Sequence, residues 1–218
     1  MAAGAAAVAL LATAACSDAD ADDPVSSAPE TVAAPSSPVA SETPSAAPTS
    51  AAPSLSPSEQ AVAEAEQAYR AWVDLQNRVL QDPPEISSGD TTDDETLTAF
   101  LTEVRLYGIE EAEAELLQGV FQYNDEGWRQ DGTIEVASVD AFEVEPTPED
   151  GRPYVELDAC LQPVDVRILE ADGGEAEEFA DVDMESAYPS GARVEYVSED
   201  GLEGWYVKRL GGDGERSC

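Results

Sequence analysis

The chain contains no histidine. The commonest general base near neutral pH and the commonest zinc ligand are therefore both missing, so no His-dependent triad, dyad or metal centre can be assembled. Basic residues are scarce: 10 Lys and Arg stand against 47 Asp and Glu, a formal net charge of −37. Lys208 is the single lysine. This balance disfavours nucleic acid, which needs cations facing phosphate, and opposes docking of the bare polypeptide on an anionic bilayer. It describes a strongly solvated surface, with a cationic partner or a divalent ion as the sharper alternative. No apolar run reaches the roughly 20 residues that cross hydrocarbon. Nucleotide loops, metal-ligand clusters and nucleophile motifs are also missing, so no catalytic residue, metal or cofactor is assigned.

What is present begins at the N-terminus. The apolar run 2–15 is too short to span a membrane but fits the roughly 7–15-residue core of an export signal. No Lys or Arg precedes it, although signals usually start with positive charge. It ends Leu11-Ala12-Thr13-Ala14-Ala15-Cys16. This ending resembles the lipobox of bacterial lipoproteins, with Ala14 and Ala15 at the small positions and Thr13 where Leu is preferred. The resemblance implies a signal peptide over 1–15 and a diacylglyceryl thioether on Cys16, with acyl chains such as palmitate. Two or more chains, at about 0.8 kcal/mol per buried CH₂, hold a protein stably on a bilayer. The alternative is an ordinary cleaved signal cut after Ala12-Thr13-Ala14.

Residues 16–56 predict a disordered tether. Eight of the 15 prolines fall between Pro24 and Pro57, among Ala, Ser and Thr. Its six acids (Asp18, Asp20, Asp22, Asp23, Glu30, Glu42) face no base, so 41 of the 47 acids and all 10 bases lie from Ser58 on. Such a segment buries no core and would span about 35 Å as a coil, up to about 130 Å extended. With Cys16 set aside, Cys160 and Cys218 form an even pair. Outside the cytosol that points to a disulfide, against two free buried thiols.

Residues 57–218 predict one domain. Ser56-Pro57-Ser58-Glu59 is a capping box with proline at the first helical position. Val62, Ala65, Tyr69, Trp72, Val73, Val79 and Leu80 then recur at helical spacing until Pro83-Pro84, predicting a helix over 57–81. Thr92-Asp93-Asp94-Glu95 predicts a second helix ending near Gly108. Leu116, Leu117, Val120 and Phe121 mark a third, closed by 124–127. From Gly132 the period falls to two. Strands are expected over 133–144, with a bulge hinted at Val139, and over 154–161, 164–169, 192–198 and 204–210, the second and third separated by Pro163. Three helices followed by about five antiparallel strands is an α+β fold.

That order, with Val155-Glu156-Leu157-Asp158-Ala159-Cys160, Gly204-Trp205-Tyr206-Val207 and the terminal Cys218, resembles the NTF2-like (cystatin-like cone) domain of Gram-positive envelope lipoproteins. The resemblance implies a curved sheet wrapped around the long helix, a Cys160–Cys218 bond, and a conical cavity that Tyr69, Trp72, Phe100, Phe121, Phe142 and Trp205 would line. Where an acid often follows the first cysteine by two, this chain has Gln162, so no acidic role is carried over. The expected function is a membrane-anchored extracytoplasmic module that is non-catalytic and contacts an unidentified envelope protein. The alternatives are small-ligand binding in the cone and an isomerase-like site pairing a carboxylate with Tyr69, Tyr107 or Tyr123. The acidic segments 90–95 and 181–185 are expected to be solvated loops rather than cation sites.

Overall fold

The computed structural model describes residues 55–89, 94–149, 151–199, 201–211 and 218. Cys16, the signal and almost all of the tether lie outside them. Ala51–Cys218 forms one compact unit. It is α+β: helices α1 (Pro57–Gln81), α2 (Glu95–Val104) and α3 (Glu111–Glu126) precede strands β1 (Arg129–Glu145), β2 (Tyr154–Leu169), β3 (Tyr188–Val197) and β4 (Gly204–Leu210). The strands form one antiparallel meander in chain order.

α1 starts where the capping box places it. The Glu59 N–H donates to Ser56 Oγ at 3.3 Å, and the Ser56 N–H donates back to Glu59 Oε2 at 2.7 Å. Tyr69, Trp72, Val73 and Leu75 on its inner face are buried. They pack with Val155, Leu157, Ala159, Val194 and Val207 of the sheet. Burial of each large apolar side chain contributes about 1.5–3 kcal/mol. At Gly108 any side chain is barred, because a Cβ would sit 2.3 Å from the Trp72 ring. The backbone there forms a parallel bridge to Val207 and covers the outer edge of β4.

Three expectations need correction. The cap of α2 is Asp94, whose carboxylate accepts the Leu97 N–H at 2.9 Å; Thr92 lies outside the described residues. The sheet has four strands rather than five, since residues 154–169 are continuous through Pro163. Pro163 stands opposite Ile134, whose backbone is turned away from β2, and β3 has already ended at the Leu161–Tyr188 pair. The missing N–H thus costs no ladder bond. Val139 is paired normally with Ala159; the register of β1 slips instead at Gly132, Ala137 and Phe142. The slip at Ala137 puts Val139 and Ala141 back in phase with Ile134 and Val136 against the core, and the slip at Phe142 does the same for Val144.

Candidate functional site

Five of the six proposed lining residues lie in or against one packed core cluster, and Phe142 lies outside it. Tyr69 (1% exposed), Trp72 (0%) and Phe100 (6%) are core residues. Phe121 and Trp205 are partly buried against that core. Phe142, the extra residue of a bulge, is 53% exposed. Clefts reaching these side chains open on the surface: Phe100 lines one of about 670 Å³ between α1 and α2, and Phe142 lines one of about 470 Å³ on the sheet.

Among the described residues no carboxylate is bonded to the hydroxyl of Tyr69, Tyr107 or Tyr123. Tyr69 Oη donates to Ser190 Oγ at 3.1 Å; burial raises its pKa and outweighs that bond. Tyr123 packs edge-on to Trp128, and burial pushes its phenol up to about 12. In segment 181–185 the Asp183 carboxylate accepts the backbone N–H groups of Glu185 and Ser186, as a turn residue does. No cluster of metal-ligating side chains occurs among the described residues.

The most elaborate polar arrangement lies on the sheet face away from α1. On β3, Ala192 and Val194 point to the core, so Arg193 and Glu195 point outward. Glu195 is nevertheless 4% exposed. Arg193 Nε donates to Glu195 Oε1 at 2.8 Å and Lys208 Nζ donates at 3.2 Å. Arg152 Nη1 stands 3.7 Å from Oε2. Each cation is shared onward. Arg193 and Arg209 both reach Glu156 Oε1 at 3.0 Å. Arg152 also holds Glu199 and, at 3.0 Å, Glu110. Lys208 meets Glu110 at 3.3 Å. Arg193 lies 3.8 Å above the Tyr154 ring, whose hydroxyl donates to Glu143. Much of the chain's scarce positive charge is thus gathered on one face around one buried carboxylate.

The pKa shifts follow from these contacts. Burial alone pushes the Glu110 carboxyl up, but Lys208 and Arg152 outweigh it and hold it below the usual range. Burial opposes the charge of Arg193, and Glu195 with Glu156 more than restore it. Chemically this is a neutralised lattice. Glu110, Glu156, Glu195 and Glu199 are each paired with at least one protein cation.

The backbone edge of β1 is the second notable surface. α1 seals its first half: Asn77 Nδ2 donates to Ile134 O at 2.8 Å, and Asn77 Oδ1 accepts the Ile134 N–H at 2.9 Å. Arg70 and Gln81 donate to Val136 O and Gly132 O at 2.8 and 2.7 Å.

No family model matches the chain, and no curated protein matches it. Among solved structures it is similar to the intermembrane space region of the chloroplast protein ARC6. The identity is 10%, over 73% of this chain and 97% of that one, with a TM-score of 0.43. A likeness at this level assigns neither family nor function.

Sequence reasoning missed both the lattice and the sealed edge. Each joins residues far apart in the chain; only the two-residue period around Arg193 and Glu195 hinted that these charges share a face.

Proposed function

We propose that this chain is a lipid-anchored extracytoplasmic protein. Cys16 carries the acyl chains, residues 17–56 act as a spacer, and the folded unit is a non-catalytic, NTF2-like accessory module that works through protein contact. The Cys160–Cys218 disulfide, with Cα atoms 5.6 Å apart, is the observation that carries this reading. Such bonds persist outside the reducing cytosol. The pairing also leaves Cys16 as the odd thiol, at the position where a lipobox places its acylated cysteine.

Contact is favoured over catalysis or small-ligand binding by where the candidate residues lie. Tyr69 and Trp72 fill the space a ligand would need, and the buried carboxylate Glu195 is occupied by Arg193 and Lys208. The test is mass spectrometry of the N-terminal peptide of the mature native protein. The expected peptide begins at Cys16 and carries acyl mass. A mature chain beginning elsewhere, or an unmodified Cys16, overturns the anchor.

A further inference from the structure

β1 is an edge strand whose two halves are treated differently. Its first half is closed by the Arg70, Asn77 and Gln81 side chains. Among the described residues its second half has no such cover. The ladder alternation shows which groups are left open. Ile134 and Val136 turn their backbone outward, to α1. Counting on through the bulge at Ala137, the outward residues are Val139, Ala141 and, past the bulge at Phe142, Val144. Among the described residues nothing pairs with the N–H and C=O groups of these three. The opposite margin of the sheet is bonded at Val207, since Ile109 N donates to Val207 O at 2.8 Å and Val207 N to Tyr107 O at 3.0 Å.

We infer that the Val139–Val144 edge is a docking strand for an extended segment of a partner protein in which apolar residues alternate with Lys or Arg. This rests on the reading of the folded unit as a contact module and names its contact surface. The pleat dictates the partner's pattern. On one face an added strand would lie beside Val139, Ala141 and Val144, which are partly buried against the core. On the other it would lie beside Asp140, Glu143 and Glu145. Backbone bonding supplies affinity and the alternating side chains supply selectivity.

Charge decides among occupants. A second copy would set acids against acids, and the chain's own spacer 17–56 carries only negative charge. The bulges and acids of this edge therefore oppose self-pairing and still accept a cationic strand.

The experiment titrates the purified protein at 150 mM salt with a nine-residue peptide alternating valine and lysine. A valine–glutamate peptide is the control. The lysine peptide is expected to bind and the glutamate peptide to fail. Ala141→Pro removes an outward N–H without touching the β1–β2 ladder or the net charge, and is expected to weaken binding at least tenfold. Because the protein's overall field attracts any cation, unchanged binding by Ala141→Pro overturns the inference. Equal binding of the two peptides also overturns it. Self-association abolished by Ala141→Pro does so too, since it makes a second copy the occupant. If Ala141→Pro does not fold, a lysine peptide N-methylated at alternate residues, added to the unaltered protein, reads the same loss. An acylated protein indifferent to these changes sinks the edge and leaves the anchor; a peptide-binding protein without acyl groups does the reverse.

Discussion

Two side chains show how local chemistry is bent to the needs of the whole. Glu110 heads α3 with φ 52° and ψ −113°, a backbone region that suits glycine, and makes no capping bond. Conformations of this kind cost about 1–3 kcal/mol. The residues just before it are pinned to β4 by the Ile109 N–H to Val207 O and Val207 N–H to Tyr107 O bonds, and its side chain lies between Arg152 and Lys208. Tyr123 illustrates the opposite case, a group shaped by burial alone. Its phenol is held up to about 12, above the ordinary value of about 10. The fold therefore favours the neutral form. That contribution is complete below about pH 10 and is lost as pH rises toward 12, because the unfolded chain ionises first. Denaturant midpoints taken from pH 9 to 12 should fall more steeply for the unaltered protein than for Tyr123→Phe. Parallel curves would mean that Tyr123 titrates as it does in the unfolded chain. Burial also raises the phenols of Tyr69 and Tyr188, but these shifts are common to both proteins and cancel in the comparison.

At the level of elements, the union of α1 with β1 rests on a side chain imitating a strand. Asn77 is 8% exposed and gives Ile134 both of the bonds a neighbouring strand would give. It also accepts from Gln130 Nε2 at 3.0 Å. Asn77→Ala would leave both the N–H and the C=O of Ile134 unpaired and would cost the buried Gln130 amide one of its two bonds, the other being to Gly132 O at 3.3 Å. The expected loss is about 2 kcal/mol, or roughly 4–8 °C in Tm, read by thermal unfolding. A loss below about 0.5 kcal/mol would show that water takes over these bonds. The amphipathic stripe of α1 and its bounds were legible because capping box, periodicity and Pro83-Pro84 agree. Asn77 was not legible, since a lone Asn on the inner side of a helix gives no sign of a strand end to satisfy. Pro163 misled for a related reason. A proline breaks a strand only where its N–H is needed, and that depends on which neighbours run beside it. Val139 correctly signalled an irregularity, but the displaced residues are Ala137 and Phe142, because a bulge shifts the phase of every later residue in its strand. The candidate site was the least legible part. Glu195 becomes the centre of an ion lattice only when β2, β3, β4, the turn before α3 and the Arg152 loop come together.

For the molecule as a whole, the Cys160–Cys218 link acts on both stability and place. It closes a sequence separation of 58 and fixes the last residue of the chain to β2. In the chain-entropy account a loop of that length destabilises the unfolded state by about 4 kcal/mol. A Cys160→Ser/Cys218→Ser double variant should therefore unfold at a clearly lower guanidinium concentration. It should also show a somewhat larger m-value, because its unfolded ensemble is free to expand. Reductant should move the unaltered protein to the same midpoint and leave the variant where it is. A cost below about 1 kcal/mol would mean that the link constrains little and that its value lies elsewhere. The same bond bears on compartment. In protein taken directly from the native cells and alkylated at acid pH, Cys160 and Cys218 should resist modification until reduced. Free thiols at both positions would place the native chain under reducing conditions and remove the support the disulfide gives to an extracytoplasmic location. A domain with so much unbalanced negative charge repels itself when compact. Tying its last residue to the middle of the sheet limits how far that repulsion can open the unfolded chain.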